Sequence, residues 1–245
     1  MRAAIIALLL IAAGASEAQA VIRGQAAGGI SRYVVRVTGP NLLCTGVVVG
    51  PQEVLTAAHC AESYRNLSVV AGGHRIAVTG VSGGAPARLT LARPLPSGFQ
   101  PIAVGGGSGE FIIAGYGVSY ESPRAPSAGL RQARLVPEGG FGYGPLVDPH
   151  RKGSIGASAC MGDSGGPVVQ FDGSRYTLVG IIDRASHPSP TRACGHLTHF
   201  VSVGGVGSGT SRVAAASSAP RRTASVKRQR QKTAPVDNFD PRDYR

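Results

Sequence analysis

The sequence predicts an all-β fold, and three observations carry that expectation. Short apolar runs rich in Val, Ile, Leu and Thr are broken by turn residues every few positions, which suits strands rather than long helices. Glycine is abundant, with 36 in 245 residues, so sharp turns are available throughout. The apolar share is 42%, enough for this length to bury a genuine core.

The chain opens with a basic residue, Arg2, an apolar stretch from Ala3 to Ala13, and the small-residue ending Ala18-Gln19-Ala20. That is the layout of a secretory leader cut after Ala20, and its apolar part is too short to span a bilayer comfortably. No later segment reads as membrane-crossing. We therefore expect 1–20 to be a signal peptide and the rest to be secreted or periplasmic. Export would put the four cysteines, Cys44, Cys60, Cys160 and Cys194, where disulfides persist. None forms a CxxC pair, which argues against a zinc site or a redox dithiol, and three pairings are open.

From Val21 onward the predicted strands are Tyr33–Thr38, Gly46–Val49, Leu67–Ala71, Arg75–Thr79, Phe111–Ala114, Pro167–Phe171 and Thr177–Ile182. Many short strands at close spacing read as a barrel or sandwich, not as a parallel sheet with crossover helices. After about Val203 the composition changes to Gly, Ser, Ala and Thr, then "RRTASVKRQRQK", then "VDNFDPRDYR". Little there is large and apolar, so the segment cannot offset its ordering entropy and reads as a disordered tail over 205–245. The tail carries nine Lys or Arg against three Asp, a net of +6 out of the chain's +12. A flexible cation of this kind suits an anionic envelope surface or no partner at all, and nucleic acid is not expected for an exported chain.

The stretch "CMGDSGGP", Cys160 to Pro167, sets one serine among glycines. An activated serine needs a base within hydrogen-bond reach, a group that orients the base, and backbone N–H donors facing the developing oxyanion. Gly162 can take backbone angles closed to other residues, so the N–H groups of Gly162 and Ser164 can face one point. A candidate base stands 105 positions earlier, His59, at the end of "VLTAAHC".

"LTAAHC" and "GDSGGP", in this order, resemble the two signature blocks of the chymotrypsin/trypsin family of serine peptidases. Val21-Ile22-Arg23-Gly24 is similar to the family's mature N-terminus, Ala114-Gly115-Tyr116-Gly117 to its Gly-aromatic-Gly turn, and "LVGII" and "CGHLTHFV" to the strands lining its specificity pocket. The resemblance covers about Val21 to Val203. It implies two packed antiparallel six-stranded β-barrels over 21–204 with the active site between them, and disulfides Cys44–Cys60 and Cys160–Cys194. It implies Ser164 as nucleophile, His59 as general base, and the N–H groups of Gly162 and Ser164 as oxyanion hole. Asp163 would form a buried ion pair with the amine of Val21, and cleavage after Ala20 would expose that amine. No metal or cofactor is required, and the expected partners of a monomer are protein or peptide substrates.

Two departures stand out. Where the family supplies the orienting acid, "APARLTLARPL" puts Ala85, and no Asp or Glu occurs between Glu62 and Glu110. Loss of that acid costs on the order of 10⁴ in turnover in the family template. Asp183, after "LVGII", takes the place of a residue that lies beside the missing acid, so it is the candidate for a relocated third member. The alternative is a rim acid neutralised by Arg184 or Arg192. Arg184 itself stands where the family has a large aromatic that supports substrate. Ser158, six before the serine, is not an acid, and with Ala185 and Gly195 as walls the expected pocket takes a medium apolar or aromatic side chain. The missing acid, Arg184 and the lack of an aromatic-bearing C-terminal helix also admit a second reading, a secreted pseudoprotease acting as a binding module. His196 and His199 fall on opposite faces of a strand, against a shared metal site, and His74, His150 and His187 read as surface residues.

Overall fold

The computed structural model describes residues 21–62, 66–106, 108–118, 129–140 and 144–203. The leader and the basic tail inferred above lie outside the described residues. The first barrel contains β2 (Val34–Gly39), β3 (Leu42–Gly50), β4 (Glu53–Thr56), β5 (Ser68–Ala71), β6 (His74–Gly83) and β7 (Ala87–Leu91). It closes in the order β2-β3-β4-β7-β6-β5, every pair antiparallel. Closure removes the exposed edges that an open sheet would carry.

The second barrel is built from β9 (Glu110–Gly115), β10 (Arg131–Pro137), β11 (Leu146–Val147), β12 (Pro167–Phe171), β13 (Tyr176–Ser186) and β14 (Leu197–Ser202). Its path β10-β11-β14-β13-β12-β9 is closed by antiparallel pairing of β9 with β10. Two short strands decorate it, β1 (Gln25–Ala26) on β10 and β8 (Ala103–Val104) alongside β13. The helical content among the described residues is a 3₁₀ turn at Gly29–Tyr33 and one four-residue turn, α1 (Ala58–Ala61). The all-β double barrel anticipated from sequence is thus the observed fold, and each of the seven predicted runs overlaps a strand, with Tyr33 in the 3₁₀ turn and Leu67 just before β5.

Alternation along the strands explains how the barrels meet. In β2, Val35 and Val37 join the core inside the first barrel, while Val34 points out and packs with Val47 and Leu55 against Ile112, Val169, Leu178 and Ile181 of the second. A side-chain period of two puts one set of residues in each barrel and the other in the seam. The interior of the second barrel is a separate cluster of Ile113, Leu135, Leu146, Val168 and Ile182, and buried Val21 belongs to it. Each barrel carries one disulfide, Cys44–Cys60 and Cys160–Cys194.

Candidate active site

The seam ends at the loop that carries Ser164. Thr45, outward-facing on β3, holds that loop from the first barrel: its N–H donates to the Ser164 carbonyl at 2.9 Å and its Oγ1 donates to the Gly162 carbonyl at 2.8 Å. The same Oγ1 accepts the Tyr116 N–H at 3.0 Å. From the second barrel, the Gly165 N–H donates to the Ile182 carbonyl at 2.8 Å, tying the loop to β13. Gly165 has φ +86°, and a Cβ there would collide with the Thr45 carbonyl and Thr56 Oγ1. Only glycine lets the loop pass between the barrels at this point.

Gly162 also takes a left-handed backbone, φ +89°. Among the described residues, neither its N–H nor that of Ser164 donates to a protein acceptor. Two unpaired donors two residues apart are a ready anion cradle. The Ser164 hydroxyl donates to the carbonyl oxygen of Asp183 at 3.2 Å. It makes no hydrogen bond to His59.

His59 sits in α1, a turn that directly follows β4, and its side chain is 46% exposed. Nδ1 stands 3.9 Å from Oδ1 of Asp183. The other carboxylate oxygen, Oδ2, accepts from Arg184 at 3.0 Å. Asp183 therefore faces the histidine and an arginine at once. Ala85 lines the same narrow crevice as Asp183, together with Ala57, Ala58, Pro86, Ile181, Ile182 and Val201. Ala85 is thus next to the turn that presents His59.

Asp163 is fully buried. Its Oδ1 accepts the Gly117 N–H at 2.8 Å and its Oδ2 the Cys160 N–H at 2.9 Å, with the backbone N–H of buried Val21 as a third donor. Burial pushes its carboxyl up to about 7, against the opposing pull of those three N–H groups. Val21 itself has φ +54°, strained for a β-branched residue. That dihedral exists only while residue 20 is attached.

The three residues expected from sequence to wall a pocket, Ser158, Ala185 and Gly195, come together. Ser158 is fully buried; its Oγ donates to the Ala159 carbonyl at 2.8 Å and accepts the Gly195 N–H at 2.7 Å. Ala185 packs on the Cys160–Cys194 cluster beside them. The Ser158 hydroxyl is fully occupied, so this wall presents no charge. Three of the histidines noted in the sequence lie near this wall or on its strands. His199 Nε2 lies 2.7 Å from Ser186 Oγ and is held below its ordinary pKa, first by burial and then by the Arg184 charge. His187 and His196 meet edge to face at 6.0 Å.

Sequence reasoning missed Thr45 and Thr198. Thr198 Oγ1 accepts the Ala159 N–H at 3.0 Å, bracing the pocket wall as Thr45 braces the serine loop. Thr198 lies within "CGHLTHFV" but was not singled out there, and the one available signal for Thr45 was its place after Cys44.

A model of the family described as Trypsin matches residues 21–85, the stretch holding Val21, Cys44, His59 and Cys60. The two closed antiparallel six-stranded barrels are those of the chymotrypsin-type fold. The matched stretch ends before the serine loop, which the second of two closed barrels supplies in this trypsin-type fold. Ala85 of the first barrel and Asp183 of the second, the latter paired with Arg184, meet at one corner of the site.

Proposed function

We propose that this trypsin-type chain is an exported serine endopeptidase in which Asp183 orients His59. Ser164 Oγ attacks the scissile carbonyl carbon while His59 Nε2 takes its proton. The oxyanion is held by the N–H groups of Gly162 and Ser164. His59 passes the proton to the leaving amine as the C–N bond breaks, then activates the water that hydrolyses the acyl-enzyme. The 3.9 Å approach of Asp183 to Nδ1 carries this reading. It favours a proton on Nδ1 and leaves Nε2 for the serine, the orientation that the chemistry needs. For attack, the hydroxyl must rotate from the Asp183 carbonyl to His59. Ser158, Ala185 and Gly195 form an uncharged pocket suited to a medium apolar or aromatic side chain.

Residues 1–20 are read as the leader, 21–204 as the peptidase domain and 205–245 as a basic tail able to touch an anionic envelope. Cutting after Ala20 delivers an amine at Val21, beside Asp163, so export itself completes the site. The localisation is secreted or periplasmic.

A second reading, a pseudoprotease acting as a binding module, draws on two observations: the serine hydroxyl is turned to a carbonyl, and Arg184 holds the Asp183 carboxylate. A fluorophosphonate probe on the chain beginning at Val21, read by intact mass beside Ser164→Ala and His59→Ala, separates the two. Labelling that requires both residues supports the peptidase. A folded protein that does not label, or labels without His59, supports the binding module.

A further inference from the structure

The carbonyl of Ser164 faces Thr45 of the first barrel, whereas its hydroxyl faces β13. Outward from Thr45 runs a rung of cross-strand partners: Thr45 with Arg36, Arg36 with Val70, Val70 with Arg75, on β3, β2, β5 and β6. Directly paired residues share a face. Their neighbours Val35, Val37, Val69 and Ile76 fill the barrel, so the rung lies on its outside. Three strand spacings make it about 14 Å long. An extended chain covers that length in about four residues.

The rung is basic. The Arg36 guanidinium lies over the Tyr116 ring at 5.0 Å, and its Nε is buried without a hydrogen-bond partner. Arg75 donates to Thr38 Oγ1 at 3.0 Å, and Thr38 shares the outward face of β2 with Arg36. Arg93 reaches the Arg75 carbonyl at 3.3 Å, placing a third cation beside the row. Among the described residues none of these three pairs with a carboxylate; the acids in ion pairs are Glu53, Glu110 and Asp183, and they hold other partners. Neighbouring cations repel one another, and an anionic chain laid along them removes that cost.

We propose that Arg36, Arg75 and Arg93 form a docking surface for an acidic polypeptide segment. The row leads outward from buried Thr45, which holds the Ser164 carbonyl from the first barrel, whereas the Ser158–Ala185–Gly195 wall belongs to the second. Resting on the peptidase reading, that places the Asp and Glu residues of the segment on the leaving-group side of the scissile bond.

The test uses the full chain carrying Ser164→Ala, so that binding is read without turnover. Fluorescence anisotropy compares a peptide with Asp and Glu at the four positions after the scissile bond with its Asn/Gln counterpart. The acidic peptide is expected to bind about tenfold more tightly at low salt, a margin that shrinks as salt rises. Arg36→Gln, Arg75→Gln and Arg93→Gln together should erase the preference, with Arg75→Gln alone giving a partial loss and Arg175→Gln, on the second barrel, none. A preference that survives the triple change, no preference at all, or tighter binding when the acids precede the scissile bond would overturn the proposal. So would occupation of the row by a sulfated polysaccharide with no binding of the acidic peptide. A chain that never labels with the fluorophosphonate but shows the arginine-dependent preference keeps this surface and removes the peptidase reading.

Discussion

Nδ1 of His59 and Oδ1 of Asp183 stand 3.9 Å apart across the seam between the two barrels. The separation is too long for a hydrogen bond and short enough for a carboxylate to favour a proton on that nitrogen. Asp183→Asn keeps the shape and removes the charge. Turnover is expected to fall by 10²-fold or more, toward the roughly 10⁴ associated with loss of the orienting acid. Steady-state kinetics on a peptide ester check it; unchanged kcat/KM would remove Asp183 from the mechanism.

Ala85 and Asp183 line one crevice beside the His59 turn. Ala85→Asp places an acid where the sequence resemblance expects the orienting one. In the Asp183→Asn background it should recover about tenfold or more of the lost rate, since the two carboxylates approach the same imidazole. In the wild-type background the gain should be smaller. No recovery in the double variant would mean that the Ala85 backbone does not direct a side chain to His59.

The Val21–Asp163 relationship predicts a pH dependence. While residues 1–20 are attached, Asp163 is raised from 3.8 to about 7 in the folded state. A carboxyl raised on folding contributes stability that is complete below its unfolded pKa and is lost as pH rises through the folded one. The uncut chain should therefore lose stability between pH 4 and pH 7, by an amount on the order of 4 kcal/mol at most. The chain beginning at Val21 pairs the carboxylate with an ammonium and loses the strained φ, so it should hold its stability over that window. Urea melts of the two chains at pH 4.5 and 7.5 decide it; equal loss in both would rule out the pairing.

Thr45 gives a test of the brace. Thr45→Val keeps the volume and removes the Oγ1 bonds to the Gly162 carbonyl and the Tyr116 N–H. Leaving those buried groups unpaired should cost about 1–3 kcal/mol. Fluorophosphonate labelling should slow more than stability alone explains, because the Gly162 N–H shifts with its carbonyl. Loss of stability with an unchanged labelling rate would make Thr45 a structural residue only.

What the sequence determined by itself was local. A two-residue period and frequent turns announce strands, and "LTAAHC" and "GDSGGP" mark the residues around His59 and Ser164 because their chemistry is written in short contiguous blocks. The outward face of β2 and β3 was not legible: Thr45 and Arg36 are separated by nine positions and become partners only through the β2–β3 register. Nor could composition say which way Asp183 turns, since His59 and Arg184 compete for its two oxygens from different elements. Tertiary structure decided these points because they depend on strand register and on the meeting of the two barrels, which brings His59 and Asp183 together from 124 positions apart. Closure of each barrel sets which residues face the seam, and packing of the seam sets which of those residues meet.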